Sequence, residues 1–229
     1  MSNRRFDAVL IDFYGTICAG DREAVERACA RIVRSFRIPM SARDFAILWG
    51  ERFFRVIESS NHEAFRTLYE CELLSLRDTL GPFVQGHVDA APYVTDIETY
   101  WRDAPIHVDA VESLAAIDLP TCCVSNADRK PLMTAIQKHG LPFDAVVTSE
   151  DARCYKPDPG IFRLAVETLG MAPHRLIHVG DSLHSDVGGA AKLGITTTWL
   201  RRDQRIHDIG HCKPDYTIDT LTDLPALLG

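Results

Sequence analysis

The amino-acid sequence predicts an α/β protein: a core built on a doubly wound parallel sheet, with an all-helical domain inserted into it. Three observations predict this fold class. Beyond residue 105, short apolar runs alternate with helical patterns; one more apolar run lies near the amino terminus; and only helical patterns lie between the two. Strands separated by helices of about 10–15 residues indicate βαβ units with right-handed crossovers. The 229 residues exceed an average domain of roughly 150 residues, which leaves room for an insertion.

The amino-terminal strand is predicted at Ala8–Ile11, an uninterrupted apolar run typical of a strand buried on both faces. A helix is predicted to begin at Asp21, because apolar residues then recur at intervals of three and four up to Phe36, and Pro39 ends the pattern. The insertion is expected to contain three further helical stretches, at residues 45–57, 65–76 and 92–101. Glu72 falls within the mainly apolar stripe of the second of these.

The second part of the chain contains the remaining strands and helices of the predicted core. Helices are expected at residues 108–117, 131–139, 159–169 and 186–193. Strands are expected at residues 120–124, 145–148, 176–179, 196–200 and 216–218. Three of these helices are followed directly by Gly140, Gly170 or Gly194, as is common at helix ends.

Composition excludes several classes of protein. Lys and Arg number 25 against 32 Asp and Glu, so the formal net charge of −7 offers no basic surface for nucleic acid or an anionic membrane. No apolar run approaches the roughly 18 residues of a membrane span. The seven cysteines are odd in number and lack metal-ligand spacing, which favours reduced thiols in the cytoplasm. We therefore expect a soluble cytoplasmic monomer or homodimer that binds a small molecule, without nucleic-acid or membrane partners.

Polar side chains follow four of the predicted strands: Asp12 to Thr16, Ser125 with Asn126, Lys156, and Asp181 with Asp186. The carboxyl ends of parallel strands meet at one edge of a sheet, so these groups are predicted to converge there. Carboxylates suit Mg²⁺, whereas the lysine, the hydroxyl groups and amides near Gly15 suit phosphate oxygens. A carboxylate beside both is a plausible nucleophile. Each feature alone is more commonly a turn or a helix cap; the combination favours a site.

This set of motifs, in this order, resembles the haloacid dehalogenase-like (HAD) hydrolase superfamily in its variant with a helical cap. The resemblance implies a core at residues 1–16 and 105–229 and a cap at residues 17–104, which would cover the site and select the substrate. It implies that Asp12 is the nucleophile, that Thr16 supports its loop, and that Ser125 and Lys156 hold the transferring group. It further implies an Mg²⁺ site formed by Asp12, the carbonyl of Tyr14, Asp181 and Asp186. The other candidate phosphate contacts are Phe13, Tyr14, Gly15 and Asn126.

Tyr14 departs from the phosphatases of this family, which usually carry a second aspartate there as the general acid. A tyrosine with an ordinary pKa of about 10 is a poor proton donor near pH 7. Tyr14 would then be a packing residue, with water or another group in place of the acid. We expect slow turnover or a preference for good leaving groups.

The sequence DxYGT is instead the form found in L-2-haloacid dehalogenases, whose aspartate displaces halide from carbon without a metal. Leu48 and Trp49 resemble their cap as well. Those enzymes carry an arginine directly after the tryptophan, where this chain has Gly50, and only one aspartate in the last motif, where this chain has two. The nearby Arg52 is expected on another part of the helix face.

The primary prediction is therefore a Mg²⁺-dependent phosphatase for a small phosphorylated metabolite, acting through an aspartyl-phosphate. The alternative is a metal-independent haloacid dehalogenase with a displaced cap arginine. A third is a non-catalytic binding protein that keeps the fold. Chemistry of the phosphonoacetaldehyde hydrolase type, which needs a cap lysine, is disfavoured because residues 17–104 contain no lysine.

Overall fold

The computed structural model describes residues 4–202 and 212–228. The fold centres on a six-stranded parallel sheet with the strand order β3-β2-β1-β4-β5-β6. The strands are β1 (Ala8–Ile11), β2 (Thr121–Ser125), β3 (Ala145–Thr148), β4 (Leu176–Gly180), β5 (Thr196–Leu200) and β6 (Tyr216–Ile218). All five pairs of neighbouring strands are parallel, so the predicted doubly wound α/β core is confirmed.

The strand order places β1 at the point where the winding of the sheet reverses. From β1 the chain continues to β2 and β3 on one side, and then returns to β4, β5 and β6 on the other. Ligands of such sheets bind beyond the carboxyl ends of the strands at this reversal. All four residues of β1 are fully buried, as the apolar run predicts. The ends of β1, β2 and β4 therefore form the floor of one crevice.

Four of the helices between β1 and β2 make up the inserted segment that we call the cap: α1 (Asp21–Phe36), α2 (Ala42–Glu58), α3 (Leu68–Leu80) and α4 (Ala91–Asp103). Helices α2 and α4 each pack against both α1 and α3. Side-chain caps stabilise the first turns of α2 and α3. The Ser41 hydroxyl accepts a 3.1 Å hydrogen bond from the amide of Asp44, and Thr67 and Glu70 form a reciprocal capping box at α3.

Six shorter helices complete the core: α5 (Ala110–Ala115), α6 (Arg129–His139), α7 (Ser149–Ala152), α8 (Pro159–Leu169), α9 (Gly188–Ala191) and α10 (Pro225–Leu228). The predicted helix at 186–193 differs most from the structure. A single turn of π-helix at Leu183–Val187 precedes the four residues of α9. Asp186 lies inside this turn, and its carboxylate points inward to Lys156 and His178. It is therefore a buried site residue and does not cap the helix.

Cap and core are connected by hydrogen bonds between side chains and backbone. The carboxylate of Asp128, just before α6, accepts bonds of 2.6 and 3.0 Å from the first two amides of α3, those of Leu68 and Tyr69. The cap residue His62 pairs with Asp158 of the core at 3.0 Å. These contacts fix the cap over the crevice. Within the described ranges, no helix combines the length and the apolar character needed to cross a bilayer.

Candidate active site

Asp12 directly follows β1 and is almost fully buried, with 4% of its surface exposed. Lys156 approaches it from the loop before α8, and its ammonium group donates a 2.6 Å hydrogen bond to Asp12 Oδ1. The same ammonium group donates to Asp186 Oδ1 at 2.7 Å and to the carbonyl of Val124 at 2.9 Å. All three N–H donors of this ammonium group are therefore hydrogen-bonded to groups at or near the carboxyl ends of β1, β2 and β4. The predicted convergence of these strand ends is present in the structure.

Both carboxylate oxygens of Asp186 are hydrogen-bonded. Its Oδ1 accepts from Lys156 and from His178 Nε2 at 3.0 Å, and its Oδ2 accepts from the amide of Ser182 at 3.0 Å. Burial raises the pKa of Asp186, but Lys156 and His178 outweigh burial and hold this pKa below its usual range. Burial lowers the pKa of His178, so its imidazole is neutral near pH 7. Asp186 is therefore ionised, and it shares the ammonium group of Lys156 with Asp12.

Asp181 completes a cluster of three buried carboxylates with Asp12 and Asp186, in which one oxygen from each lies within 4.8 Å of the others. The backbone has no room for side chains beside them. A Cβ atom on Gly15, where φ is +92°, would lie 2.5 Å from an Asp181 oxygen, and one on Gly180 would overlap the Asp186 carboxyl group. Glycines at both positions therefore permit the carboxylates to approach the backbone this closely.

The cluster has the electrostatics of a cation site. Burial raises the pKa of Asp12 to about 7; Asp186 and Asp181 add to the rise, and Lys156 opposes it. Asp12 Oδ2 is buried and has no hydrogen-bond partner within the described residues. Asp12 and Asp186 share the one ammonium group of Lys156, and Asp181 adds a third buried carboxylate to the cluster. Clustered carboxylate oxygens are hard ligands that fit Mg²⁺.

Asn126 follows β2 and lies in the cavity wall beside Ser125. Its side-chain oxygen accepts a 2.7 Å hydrogen bond from the backbone amide of Lys156, and its Nδ2 donates to the carbonyl of Lys156 at 3.1 Å. Asn126 therefore holds the backbone from which the lysine side chain reaches Asp12. Ser125 is 1% exposed and also lines the cavity, and its contact with the transferring group remains a prediction.

The other predicted residues of the first loop lie behind the cavity wall. Phe13 and Thr16 are fully buried, and the carbonyl of Phe13 accepts from the amide of Thr16 at 3.3 Å. The hydroxyl of Thr16 has no partner within the described residues. The amide of Gly15 donates to the carbonyl of Cys18 at 3.1 Å, so it is engaged in closing the loop. Phosphate contacts from Phe13 and Gly15 and a loop-supporting role for Thr16 remain predictions.

Tyr14 lies between the core and the cap. Its hydroxyl donates a 2.7 Å hydrogen bond to the carbonyl of Trp101 at the end of α4, and its ring packs edge-on against Phe13 with 5.0 Å between centroids. Burial, with smaller contributions from Cys18 and Cys123, raises the pKa of Tyr14 far above its usual value. This side chain therefore closes the cavity wall and is unsuited to donate a proton. Its carbonyl as a metal ligand remains a prediction.

A cavity of about 280 Å³ extends from Asp12 to the cap helices. Trp49 forms part of its cap wall, and its indole nitrogen donates a 2.9 Å hydrogen bond to Ser75. Gly50 also lines the cavity, and a Cβ atom there would have no neighbour within 4 Å. Arg52 lines a separate surface groove and donates to the carbonyl of Asp78. The arginine considered as a displaced anion ligand therefore does not contact this cavity.

Sequence reasoning missed three residues that shape the site. His178 lies inside β4, where its neighbours along the strand give no sign that it bonds to Asp186. Asp21 and Glu72 both line the cap half of the cavity. The one usable signal was the position of Glu72 within an apolar helical stripe, because a carboxylate on a buried face needs a partner or a function.

Comparison with known proteins agrees with this architecture. A family model for haloacid dehalogenase-like hydrolases matches residues 6–194. (S)-2-haloacid dehalogenase 2 of Pseudomonas sp. (strain CBS-3) is 21% identical over 236 aligned positions, which cover 96% of this chain and 95% of that protein. The structure of L-2-haloacid dehalogenase from Xanthobacter autotrophicus superimposes with a TM-score of 0.78 at 23% identity, covering 97% of this chain and 98% of that one.

Two other relatives match only part of the chain. Haloacid dehalogenase-like hydrolase domain-containing protein 3 of Danio rerio is 39% identical over 123 residues, 52% of this chain and 49% of that protein. N-acylneuraminate-9-phosphatase of Mus musculus is 31% identical over 108 residues, 46% of this chain and 44% of that protein. The matches thus span about half the length of these two relatives. With the family model covering most of the sequence and the buried aspartates at the strand ends of the sheet, the chain belongs to the haloacid dehalogenase-like hydrolases.

Proposed function

We propose that this hydrolase is a Mg²⁺-dependent phosphatase acting on a small phosphate monoester. One observation carries the proposal: Asp12, Asp181 and Asp186 are buried together, with one oxygen of each within 4.8 Å of the others, and Asp12 and Asp186 share the ammonium group of Lys156. Expulsion of a halide does not call for a third carboxylate, whereas a divalent cation between an aspartate nucleophile and a phosphoryl group does.

In this mechanism Asp12 attacks phosphorus with Oδ2, the oxygen without a hydrogen-bond partner, while Lys156 holds Oδ1 in place. The new oxygen–phosphorus bond forms as the ester bond breaks, and the leaving alcohol takes the bonding electron pair. Water then attacks the aspartyl-phosphate and releases phosphate. Mg²⁺, held by Asp12, Asp181 and Asp186, would neutralise charge on the phosphoryl oxygens. Ser125 lines the cavity where those oxygens would lie.

The second candidate is a metal-independent 2-haloacid dehalogenase, in which Asp12 attacks carbon and halide leaves with the bonding electrons. (S)-2-haloacid dehalogenases and L-2-haloacid dehalogenase structures are among the relatives that align over nearly the whole chain, which favours this candidate over a phosphatase. Tyr14 and Trp49 support it as well. Against it, Gly50 stands where those enzymes carry an arginine, and the described cavity wall contains no arginine that could bind the substrate carboxylate.

The two candidates separate in one experiment with two assays. We expect p-nitrophenyl phosphate to be hydrolysed with Mg²⁺, with loss of activity in EDTA and in the variants Asp12→Asn and Asp181→Asn. Chloride release from (S)-2-chloropropionate in EDTA, lost in Asp12→Asn and retained in Asp181→Asn, would instead establish the dehalogenase. Arg52→Ala serves as the control for a displaced arginine, because it lines another groove and its removal leaves the phosphatase rate unchanged.

A further inference from the structure

The cap half of the cavity differs in chemistry from the half that the core builds. Aromatic rings form much of its wall, among them those of Trp49, Phe53 and Trp101. The ionisable side chains that the described cap residues contribute to the lining are all acidic: Asp21, Glu58 and Glu72. A ligand bound to Asp12 therefore extends its other end into an aromatic and acidic chamber.

The pKa of Glu72 departs strongly from its ordinary value. Burial raises this pKa to about 8, and the charge of Asp21 adds to the rise. Neither a cation nor a hydrogen-bond donor among the described residues offsets these effects. The carboxyl group is therefore largely protonated near pH 7, and a cationic ligand beside it would favour the ionised form and gain an ion pair.

The helix that carries Glu72 is fixed in position. The Thr67–Glu70 capping box closes the start of α3, and the core carboxylate of Asp128 accepts from its first two amides. Glu72 lies one turn further on, so its carboxyl group faces the cavity from a rigid element. A preorganised group of this kind discriminates between ligands better than one on a mobile loop.

We propose that the cap chamber selects phosphate monoesters whose alcohol carries an amino or quaternary ammonium group, with Glu72 as a specificity-determining residue. The inference rests on the phosphatase function proposed above. The ammonium group would lie against the aromatic rings of Trp49 and Trp101 and face the carboxylates of Glu72 and Asp21. Aromatic faces attract such cations, and more strongly when water is excluded.

Other occupants fit less well. A second metal ion is disfavoured, because the carboxylate cluster with metal-ligand spacing in the described chain is that of Asp12, Asp181 and Asp186. A substrate with a carboxylate at its far end would meet Glu72 and Asp21 without a cationic partner from the described cap wall. A neutral alkyl group would match the aromatic wall but would gain no charge interaction with Glu72.

The test compares three esters of similar size: phosphocholine, its uncharged carbon isostere 3,3-dimethylbutyl phosphate, and 3-phosphooxypropionate. Activity of the wild type on p-nitrophenyl phosphate with Mg²⁺ is measured first, as the check on the phosphatase function itself. We expect kcat/KM for phosphocholine to exceed that of the isostere by about 10-fold, in line with a desolvated cation–aromatic contact and an ion pair. The anionic ester is expected to be the poorest.

The variant Glu72→Gln keeps the shape of the side chain but cannot ionise. It is expected to abolish the preference for phosphocholine over the isostere, with the loss in kcat/KM falling mainly on phosphocholine. Glu63→Gln changes an exposed glutamate outside the cavity and serves as the matched control. The isostere matching phosphocholine in the wild type would overturn the proposal. An equal loss on all three esters in Glu72→Gln would do the same, since it would point to a role in chemistry.

A binding experiment separates this inference from the proposed function. Trp49 and Trp101 line the chamber, so their fluorescence reports a ligand there without catalysis. Choline is expected to change the emission of the wild type saturably, and 3,3-dimethylbutanol is not. If p-nitrophenyl phosphate is not hydrolysed but choline still binds in a Glu72-dependent manner, the phosphatase fails and the cation site stands. If the phosphatase is active and choline neither binds nor inhibits, the cation site fails.

Discussion

The side chain of Asn126 and the backbone of Lys156 form a reciprocal pair of hydrogen bonds. The amide of Lys156 donates to the asparagine oxygen at 2.7 Å, and the asparagine nitrogen donates to the carbonyl of Lys156 at 3.1 Å. The two residues are 30 positions apart, on the loops that follow β2 and precede α8. The lysine ammonium group then reaches Asp12 at 2.6 Å. Asn126 thus acts as a positioning residue for the cation that orients the nucleophile.

Replacing Asn126 by Ala should therefore lower kcat through Lys156. A misplacement of about 1 Å at a catalytic group can cost roughly 100-fold in rate, and we expect a loss of about 10- to 100-fold in kcat with KM changed less than threefold. Steady-state kinetics on p-nitrophenyl phosphate measures both. Asn126→Asp, which keeps an acceptor for the Lys156 amide, should recover part of the loss. A rise in KM with kcat unchanged would instead identify Asn126 as a direct phosphate ligand.

A second prediction concerns stability against pH in EDTA. The pKa of Asp12 is about 7 in the folded protein against an ordinary value of 3.8, so folding disfavours its charged form. Wild-type stability should therefore fall as the pH rises from about 4 through 7. Asp12→Asn lacks this titration and should melt above the wild type at pH 8. Melting temperatures at pH 5 and pH 8 measure the effect.

Asp186 provides the internal control for that experiment. Lys156 and His178 hold its pKa below the ordinary value despite burial, so its contribution to stability is present above the unfolded pKa and is lost only in acid. It is therefore constant between pH 5 and pH 8 in both proteins. Mg²⁺ should raise the melting temperature of the wild type far more than that of Asp12→Asn. Identical pH profiles for the two proteins would contradict the assigned electrostatics.

Much of the fold and part of the site follow from the sequence, for a physical reason. Local patterns determine where strands such as Ala145–Thr148 begin and end, and parallel strands necessarily bring Asp12, Ser125 and Asp181 to one edge. The direction in which a side chain points is not predicted by these patterns. Arg52 and Trp49 share one helix, yet one faces an outer groove and the other the cavity. The pairing of Asn126 with a distant backbone likewise depends on how two loops meet, which no local pattern records.

Two glycines make a matched pair for a third prediction. A Cβ atom at Gly180 would overlap the Asp186 carboxyl group, whereas one at Gly50 meets nothing within 4 Å. Gly180→Ala should destabilise the protein by about 1–3 kcal/mol through overpacking and displace Asp186, with loss of Mg²⁺-dependent activity. Gly50→Ala, inside helix α2, should raise the free energy of unfolding by about 0.5–1 kcal/mol and the melting temperature by roughly 1–4 °C.

Thermal unfolding and Mg²⁺ titration measure both variants. Equal melting temperatures for the two proteins would show that β4 relaxes enough to admit a methyl group, and the close approach of Asp186 to the strand would then not matter. Activity lost in Gly180→Ala with unchanged stability would contradict the predicted overpacking and place the effect on the carboxylate cluster alone.

The last prediction concerns the proton that the leaving group needs. The Tyr14 hydroxyl donates to the carbonyl of Trp101 at 2.7 Å, and burial raises its pKa, so it should not act as the general acid. Tyr14→Phe removes one hydrogen bond, worth about 1 kcal/mol of stability, and should lower kcat less than threefold. The same factor is expected for p-nitrophenyl phosphate and for a simple alkyl phosphate.

A general acid would give a different pattern: its loss costs about 10²–10⁴-fold, concentrated on the alkyl ester with its poor leaving group. Equal, small losses on both esters would mean that the proton comes from water or from the substrate itself, which is consistent with the slow turnover expected of a hydrolase that lacks the second aspartate.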